Sequence, residues 1–164
     1  MKTRIIGIGN PLRRDDGAGP ACVALLMQET LRPGVEALDG GEAGLALVGL
    51  LTDCHWAILV DAAHMGVLPG EVRKFGMEAL CLKDESNGVH VRTETALRLA
   101  SALGLLPRRV DLVGIEPESV DWGIGLSAVV ERALPHAVQV ILSLVEQHGI
   151  DFEKEPEKWQ KSAF

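Results

Sequence analysis

Residues 56–63 read WAILVDAA, five apolar side chains running without interruption into Asp61. A strand with one wet face alternates apolar and polar residues. An unbroken apolar run bounded by polar residues is instead the pattern of a central strand covered on both sides, as parallel sheets are. Asp61 then stands at the carboxyl end of that strand, which is the end where open α/β sheets bind their ligands.

Working outward from this strand, strands and helices alternate. Upstream, Arg4 to Ile8 is a second apolar strand that runs into the glycine-rich stretch GIGNPLRRDDGAGP, residues 7–20. Ala18 to Glu29 follows as a helix, with Pro20 tolerated in its first turn and Cys22, Val23, Leu26 and Met27 as its apolar stripe. Val35 to Leu38 is a short strand ending at DGGEAG, and Ala43 to Leu51 is an almost wholly apolar helix. Downstream, Pro69-Gly70 marks a turn, Glu71 to Phe75 an edge strand of mixed polarity, and residues 78–90 a loop. Thr93 to Leu103 is a helix, N-capped by Thr93 and ended by Gly104. Val110 to Ile115 is another strand, followed by the loop EPESVDWGIG. Ser127 caps a long last helix reaching about His148, with a kink expected at Pro135. The expected fold is a single-domain three-layer α/β sandwich over residues 1–150: a mostly parallel sheet with helices on both faces and one antiparallel edge strand. Residues 151–164 read as a charged, fraying tail.

Composition narrows the function. A chain of 164 residues can bury about 70% of its unfolded surface as one domain and needs no disulfide or metal staple. The formal charge of −7 repels nucleic acid and anionic membrane, and the absence of Tyr beside only three Phe and three Trp leaves little for base stacking. Cys22, Cys54 and Cys81 are odd in number and never spaced as C-x-x-C, which fits a reducing compartment and argues against a thiolate zinc site. Without a signal-peptide core or a long uninterrupted apolar run, the expectation is a cytoplasmic protein.

The first turn resembles a dinucleotide fingerprint only superficially. Leu12 occupies the place of the third glycine, Pro11 interrupts the turn, and Asp15 and Asp16 stand where a pyrophosphate would meet the helix N-terminus. The carboxylates themselves are the signal. Asp16 after the first strand, Asp39 after the second and Asp61 after the third converge on one sheet edge. Two such carboxylates and an imidazole, carried on exposed loops, make a three-ligand site with open positions for a borderline divalent ion. His90, just before a helix, is the best-placed imidazole, and His64, three residues past Asp61, is its rival. His136 and His148 belong to the last helix, and His55 lies on the far side of the sheet. Each acid also has a structural reading: Asp15 or Asp16 as the cap of the first helix, Asp61 as the holder of a turn. No G-x-S-x-G elbow is present, and Cys22 falls on an apolar stripe where a thiol is inert.

Taken together, GIGNPLRRDDGAGP, DGGEAG, ILVDAAHMGVLPGEV and GIEPESVDWGIGLSAVV resemble the maturation endopeptidases of [NiFe]-hydrogenases, from about Arg4 to about Glu146. The resemblance implies an enzyme that removes a C-terminal extension from the hydrogenase large-subunit precursor once nickel has been inserted there. It implies Asp16, Asp61 and His90 as the metal-contacting residues. It also implies Asp39 and Asp16 as the carboxylates available for hydrolysis, with Asn10, Gly40 and Gly41 handling substrate. The chain departs from the family pattern at Glu42, where a Thr is usual, and at Val89, where a Ser or Thr usually precedes the histidine. Nickel would be supplied by the substrate and held only weakly by the free protein, which is expected to be a monomer without nucleic-acid or membrane partners. The alternatives are a peptidyl-tRNA hydrolase, whose chain also opens on a strand and a G-x-G-N-P turn, and a nickel-dependent chaperone that inspects the precursor without cutting it.

Overall fold

The computed structural model describes residues 2–42, 44–77 and 91–154. Among these residues five strands form one sheet: β1 (Thr3–Gly7), β2 (Val35–Asp39), β3 (Trp56–Ala62), β4 (Val72–Gly76) and β5 (Arg109–Ile115). Their spatial order is β2-β1-β3-β5-β4, all parallel except the edge strand β4, which runs antiparallel to β5. Among the described residues four helices flank it: α1 (Ala18–Leu26), α2 (Leu45–Leu51), α3 (Val91–Ala102) and α4 (Ala128–Lys154). A short 3-10 turn, Arg14–Gly17, leads into α1.

Strand periodicity distributes the apolar residues between two layers. Ile5, Trp56, Ile58, Val60, Val113 and Ile115 face α1 and α4, and pack on Val23, Leu26, Leu134 and Ile141. Ile6, Ala57, Leu59, Val110 and Leu112 face α2 and α3, and pack on Leu47, Leu51, Leu97 and Ala100. Every residue of β3 is buried, as the run WAILVDA requires of a strand between two helical layers. The sandwich is therefore three-layered, with the antiparallel edge strand where the mixed polarity of residues 71–75 put it.

Several local boundaries differ from the sequence reading, each for an identifiable reason. Strand β3 continues through Ala62, so Asp61 is a strand residue opposite Gly114 of β5 and does not hold a turn. Helix α1 stops at Leu26, three residues before Glu29, because the chain tightens there into turns closed by Gln28 N–H to Leu25 and Glu29 N–H to Leu26. Helix α3 already begins at Val91, which puts Thr93 inside the first turn and not at the cap. Gly104 does end it, with φ of +66° and a bond from the Leu105 N–H back to the Ala100 carbonyl. Helix α4 passes Pro135 as one helix and runs to Lys154, beyond both His148 and residue 150. The cost of the missing N–H is outweighed by a buried stripe of Val130, Leu134, Ala137, Val138, Ile141, Leu144 and Val145. By length and composition Ala128–His148 would suffice to cross a membrane. Here it is the sheet's covering helix, and its outer face carries Glu131, Arg132, His136, Gln139 and Glu146.

Chain order fixes where a site can form. From β1 the chain passes through α1 to β2 on one side, then through α2 back across to β3 on the other side of β1. The connections leaving the neighbours β1 and β3 thus diverge, which opens a crevice outside their carboxyl ends.

Candidate active site at the carboxyl edge of the sheet

The glycines of GIGNPLRRDDGAG serve packing at this crevice. A Cβ on Gly19 would lie 2.3 Å from the Ile8 carbonyl oxygen and 2.4 Å from that of Val60, and one on Gly7 would lie 2.5 Å from the Gly19 carbonyl oxygen. Helix α1 can therefore rest its first turn directly on the ends of β1 and β3. Gly9 has φ of +139°, and a Cβ there would sit 1.7 Å from the Asp16 carbonyl oxygen. Only glycine lets the chain double back tightly enough to bring residue 16 over the sheet edge.

The adjacent aspartates then separate in role. Neither caps α1, whose N-cap is Gly17 with no side-chain hydrogen bond. Asp15 points into the β5–α4 loop. Its Oδ2 accepts the N–H groups of Glu118 (2.9 Å) and Ser119 (3.0 Å) and the Ser127 hydroxyl (2.9 Å), and its Oδ1 accepts the Ser127 N–H at 2.6 Å. Burial pushes the Asp15 pKa up, but the hydrogen bonds from Ser127, Ser119 and Glu118 outweigh it and hold the carboxyl below its ordinary value. The charge also faces the positive end of α4. Asp15 is a clamp between two loops, a role the sequence reading did not give it.

Asp16 turns the other way. It is 3% exposed, and its Oδ2 accepts the Asn10 N–H at 3.0 Å. The 3-10 turn that carries it touches β3. Asp61 is 2% exposed and lies on the same strand face as Ala57 and Leu59, toward α2 and α3. Both acids are thus buried at the edge and are not the exposed loop residues expected. Asp39 is the last residue of β2, opposite Gly7, so Asp39, Asp16 and Asp61 lie at the carboxyl ends of three neighbouring strands, β2, β1 and β3. Asp39 is exposed, and its Oδ1 accepts the Gly41 N–H at 2.8 Å.

Asn10 joins two of these segments. Its Oδ1 accepts the Leu12 N–H at 2.9 Å, its Nδ2 donates to Glu42 Oε1 at 2.6 Å, and its own N–H holds Asp16. Glu42, the departure from the family pattern, therefore partners Asn10. Gly40 is a packing glycine, since a Cβ there would be 2.7 Å from Ile6 Cγ2, while Gly41 has φ of +59° and open space around it.

His90 lies outside the described residues, as does Cys81. Val91, the next residue, begins α3, whose far end feeds β5 at the amino edge, so its first turn lies toward the carboxyl edge on the face Asp61 shares. His64 is exposed at the same edge but is paired with Glu116, its Nδ1 3.6 Å from Oε1. Glu116 is a buried strand-end acid that the sequence reading passed over. Its Oε2 accepts the Met65 N–H at 2.6 Å and fixes the loop after β3. The rule that singled out Asp61, an acid at the end of an apolar run, applies equally to GIE at 114–116. His55 and His148 lie at the opposite, amino edge, His55 against Lys2 and His148 against Arg109 and Trp56. The buried Cys22 thiol has its pKa pushed up to about 12 by desolvation, and burial raises that of Cys54 as well. Among the described residues no group of three His, Cys, Asp or Glu is arranged to hold a metal ion.

The family model described as HycI, hydrogenase maturation protease, matches residues 20–144. The chain belongs to the hydrogenase maturation protease family. It is accordingly a hydrolase of the endopeptidase class, and the peptidyl-tRNA hydrolase reading falls away. It is 34% identical over 156 residues to the hydrogenase expression/formation protein HoxM of Azotobacter vinelandii, covering 89% of this chain and 73% of that one. It is 30% identical over 162 residues to the hydrogenase 2 maturation protease of Escherichia coli, covering 92% and 94%. The solved hydrogenase maturating endopeptidase HybD of E. coli superposes with a TM-score of 0.81 at 29% identity, covering 91% of this maturation protease and 94% of HybD.

Proposed function

We propose that this maturation protease cleaves a C-terminal extension from a [NiFe]-hydrogenase large-subunit precursor in the cytosol, and that it recognises the nickel already bound there. The observation that carries the reading is the pair Asp16 and Asp61: two carboxylates, each almost fully buried, on contacting elements at the crevice between β1 and β3. Carboxylate oxygens are donors of the kind a divalent cation takes, and here two of them are brought to one edge of the sheet. His90 is the third donor in this proposal, on the segment that enters α3.

Hard carboxylate and borderline imidazole donors without a thiolate form an incomplete cage for nickel. Such a site holds free metal weakly and grips an ion that the precursor's own ligands already carry, which makes metal loading the condition for tight docking. Asp39 is the carboxylate available as a general base. It is exposed at the same edge, and its Oδ1 is steadied by the Gly41 N–H, so it can take a proton from water attacking the scissile carbonyl. Asn10 sets the position of Asp16 through its backbone N–H, and Gly41 leaves open space beside Asp39 for a peptide. Incubating the protein with nickel-loaded precursor and measuring the intact mass of the product tests the reading. Asp39→Asn should bind the precursor and leave it uncut; a wild-type protein that binds without shortening it would establish the chaperone alternative.

A further inference from the structure

Beside this crevice lies an apolar surface that the cleavage reaction does not require. Leu12 is 55% exposed, Trp122 76% and Ile124 89%, although all three stand on backbone that is firmly tied. The Gly123 N–H donates to the Leu12 carbonyl at 2.9 Å, the Arg14 N–H to the Gly123 carbonyl at 2.9 Å and the Asp15 N–H to the Ser119 carbonyl at 3.1 Å. The Asp15 carboxylate clamps the same loop at both ends. Large apolar side chains held outward on pinned loops lose little entropy on association, which is the property of an interface anchor. Arg13 completes the surface. Its guanidinium lies over the Trp122 ring, 5.9 Å from the centroid, and among the described residues no acceptor meets its buried Nε. In a chain of net charge −7 this guanidinium is a local cationic spot of the kind that attracts an anionic group.

The patch stands at the same sheet edge as Asp16, since Leu12 and Arg13 lie on the loop after β1 and Trp122 and Ile124 on the loop after β5 that is hydrogen-bonded to it. Asp16 is three positions after Arg13, so a precursor whose metal meets Asp16 has Arg13 within about 10 Å of it. We propose that Leu12, Arg13, Trp122 and Ile124 form the docking surface for the precursor segment flanking the scissile bond, an extended stretch bearing bulky apolar side chains and a carboxylate for Arg13. This rests on the proposed function, and it assigns to these four residues the affinity for the polypeptide as distinct from the grip on its nickel.

The test is processing of nickel-loaded precursor over a range of precursor concentrations by the wild type, Trp122→Ala, Ile124→Ala, Arg13→Gln and Leu103→Ala. Leu103 is an exposed apolar residue at the far end of α3 and serves as the control. Trp122→Ala should raise KM about tenfold or more while kcat at saturating precursor is retained, as loss of an interface anchor does. Arg13→Gln should raise KM less and weaken its salt dependence. Unchanged thermal unfolding of each variant confirms the fold. Unaltered KM in both Trp122→Ala and Ile124→Ala overturns the docking inference while leaving the function standing, whereas a wild type that never cleaves the precursor overturns the function itself.

Discussion

Replacing Asp15 by Asn keeps the shape of the side chain but removes its charge and turns one acceptor into a donor. Four donors converge on the carboxylate, the Ser127 N–H on Oδ1 and the Glu118 N–H, Ser119 N–H and Ser127 hydroxyl on Oδ2. Whichever way the amide settles, at least one backbone N–H faces an NH2 group. Losing a hydrogen bond to a charged acceptor costs about 1.5–3 kcal/mol, and the stranded donor adds about 1–3 kcal/mol. A loss of roughly 4 kcal/mol lowers the Tm of a domain this size by about 10 °C. The pH dependence has a definite sign, because the folded pKa of Asp15 is depressed. Its stabilisation is complete above the unfolded pKa of about 3.9 and is lost as pH falls through the folded value. Urea unfolding should therefore separate wild type and Asp15→Asn fully at neutral pH, and the gap should close as pH drops below about 4. Amide exchange at Glu118, Ser119 and Ser127 should quicken in the variant. Equal stability at pH 7, or a gap that persists undiminished at pH 3, would refute the clamp.

Further outcomes follow from the same geometry. Gly9→Ala should fail to give folded protein, read as loss of soluble expression or of near-UV circular dichroism, because the added Cβ would meet the Asp16 carbonyl oxygen at 1.7 Å. Asp16→Asn should abolish processing while costing less in urea melts than Asp15→Asn, whose carboxylate meets four donors. Iodoacetamide at pH 8 should leave Cys22 unmodified by mass and processing intact, since the thiol is buried with a pKa of about 12. Glu116→Ala should speed amide exchange at Met65 by releasing the hydrogen bond that holds it.

What could be read in advance follows the range of the forces involved. The run WAILVDA needs only its own composition to declare a doubly covered strand, and Asp39 and Asp61 inherit their place at the carboxyl edge from the strands that carry them. The split between Asp15 and Asp16 was not legible. It depends on Glu118, Ser119 and Ser127, more than a hundred residues away, arriving on one side of the 3-10 turn. The burial of Asp16 and Asp61 was hidden for a similar reason: local chemistry marks an aspartate near a turn as exposed, and only the packing of the 3-10 turn against β3 and of helices over both faces of the sheet buries the two. Trp122 and Ile124 read as ordinary loop residues until Gly123 pairs with Leu12 and Arg14 and fixes them beside the crevice.

The central claim is that the edge carrying Asp16 and Asp61 reads nickel in the precursor and cuts only when it is there. Intact-mass spectrometry of large-subunit precursor incubated with this protease, once loaded with nickel and once metal-free, tests it directly. The account predicts shortening of the loaded precursor alone, with no shortening by Asp16→Asn. Equal cleavage of loaded and metal-free precursor, or full cleavage by Asp16→Asn, would contradict it.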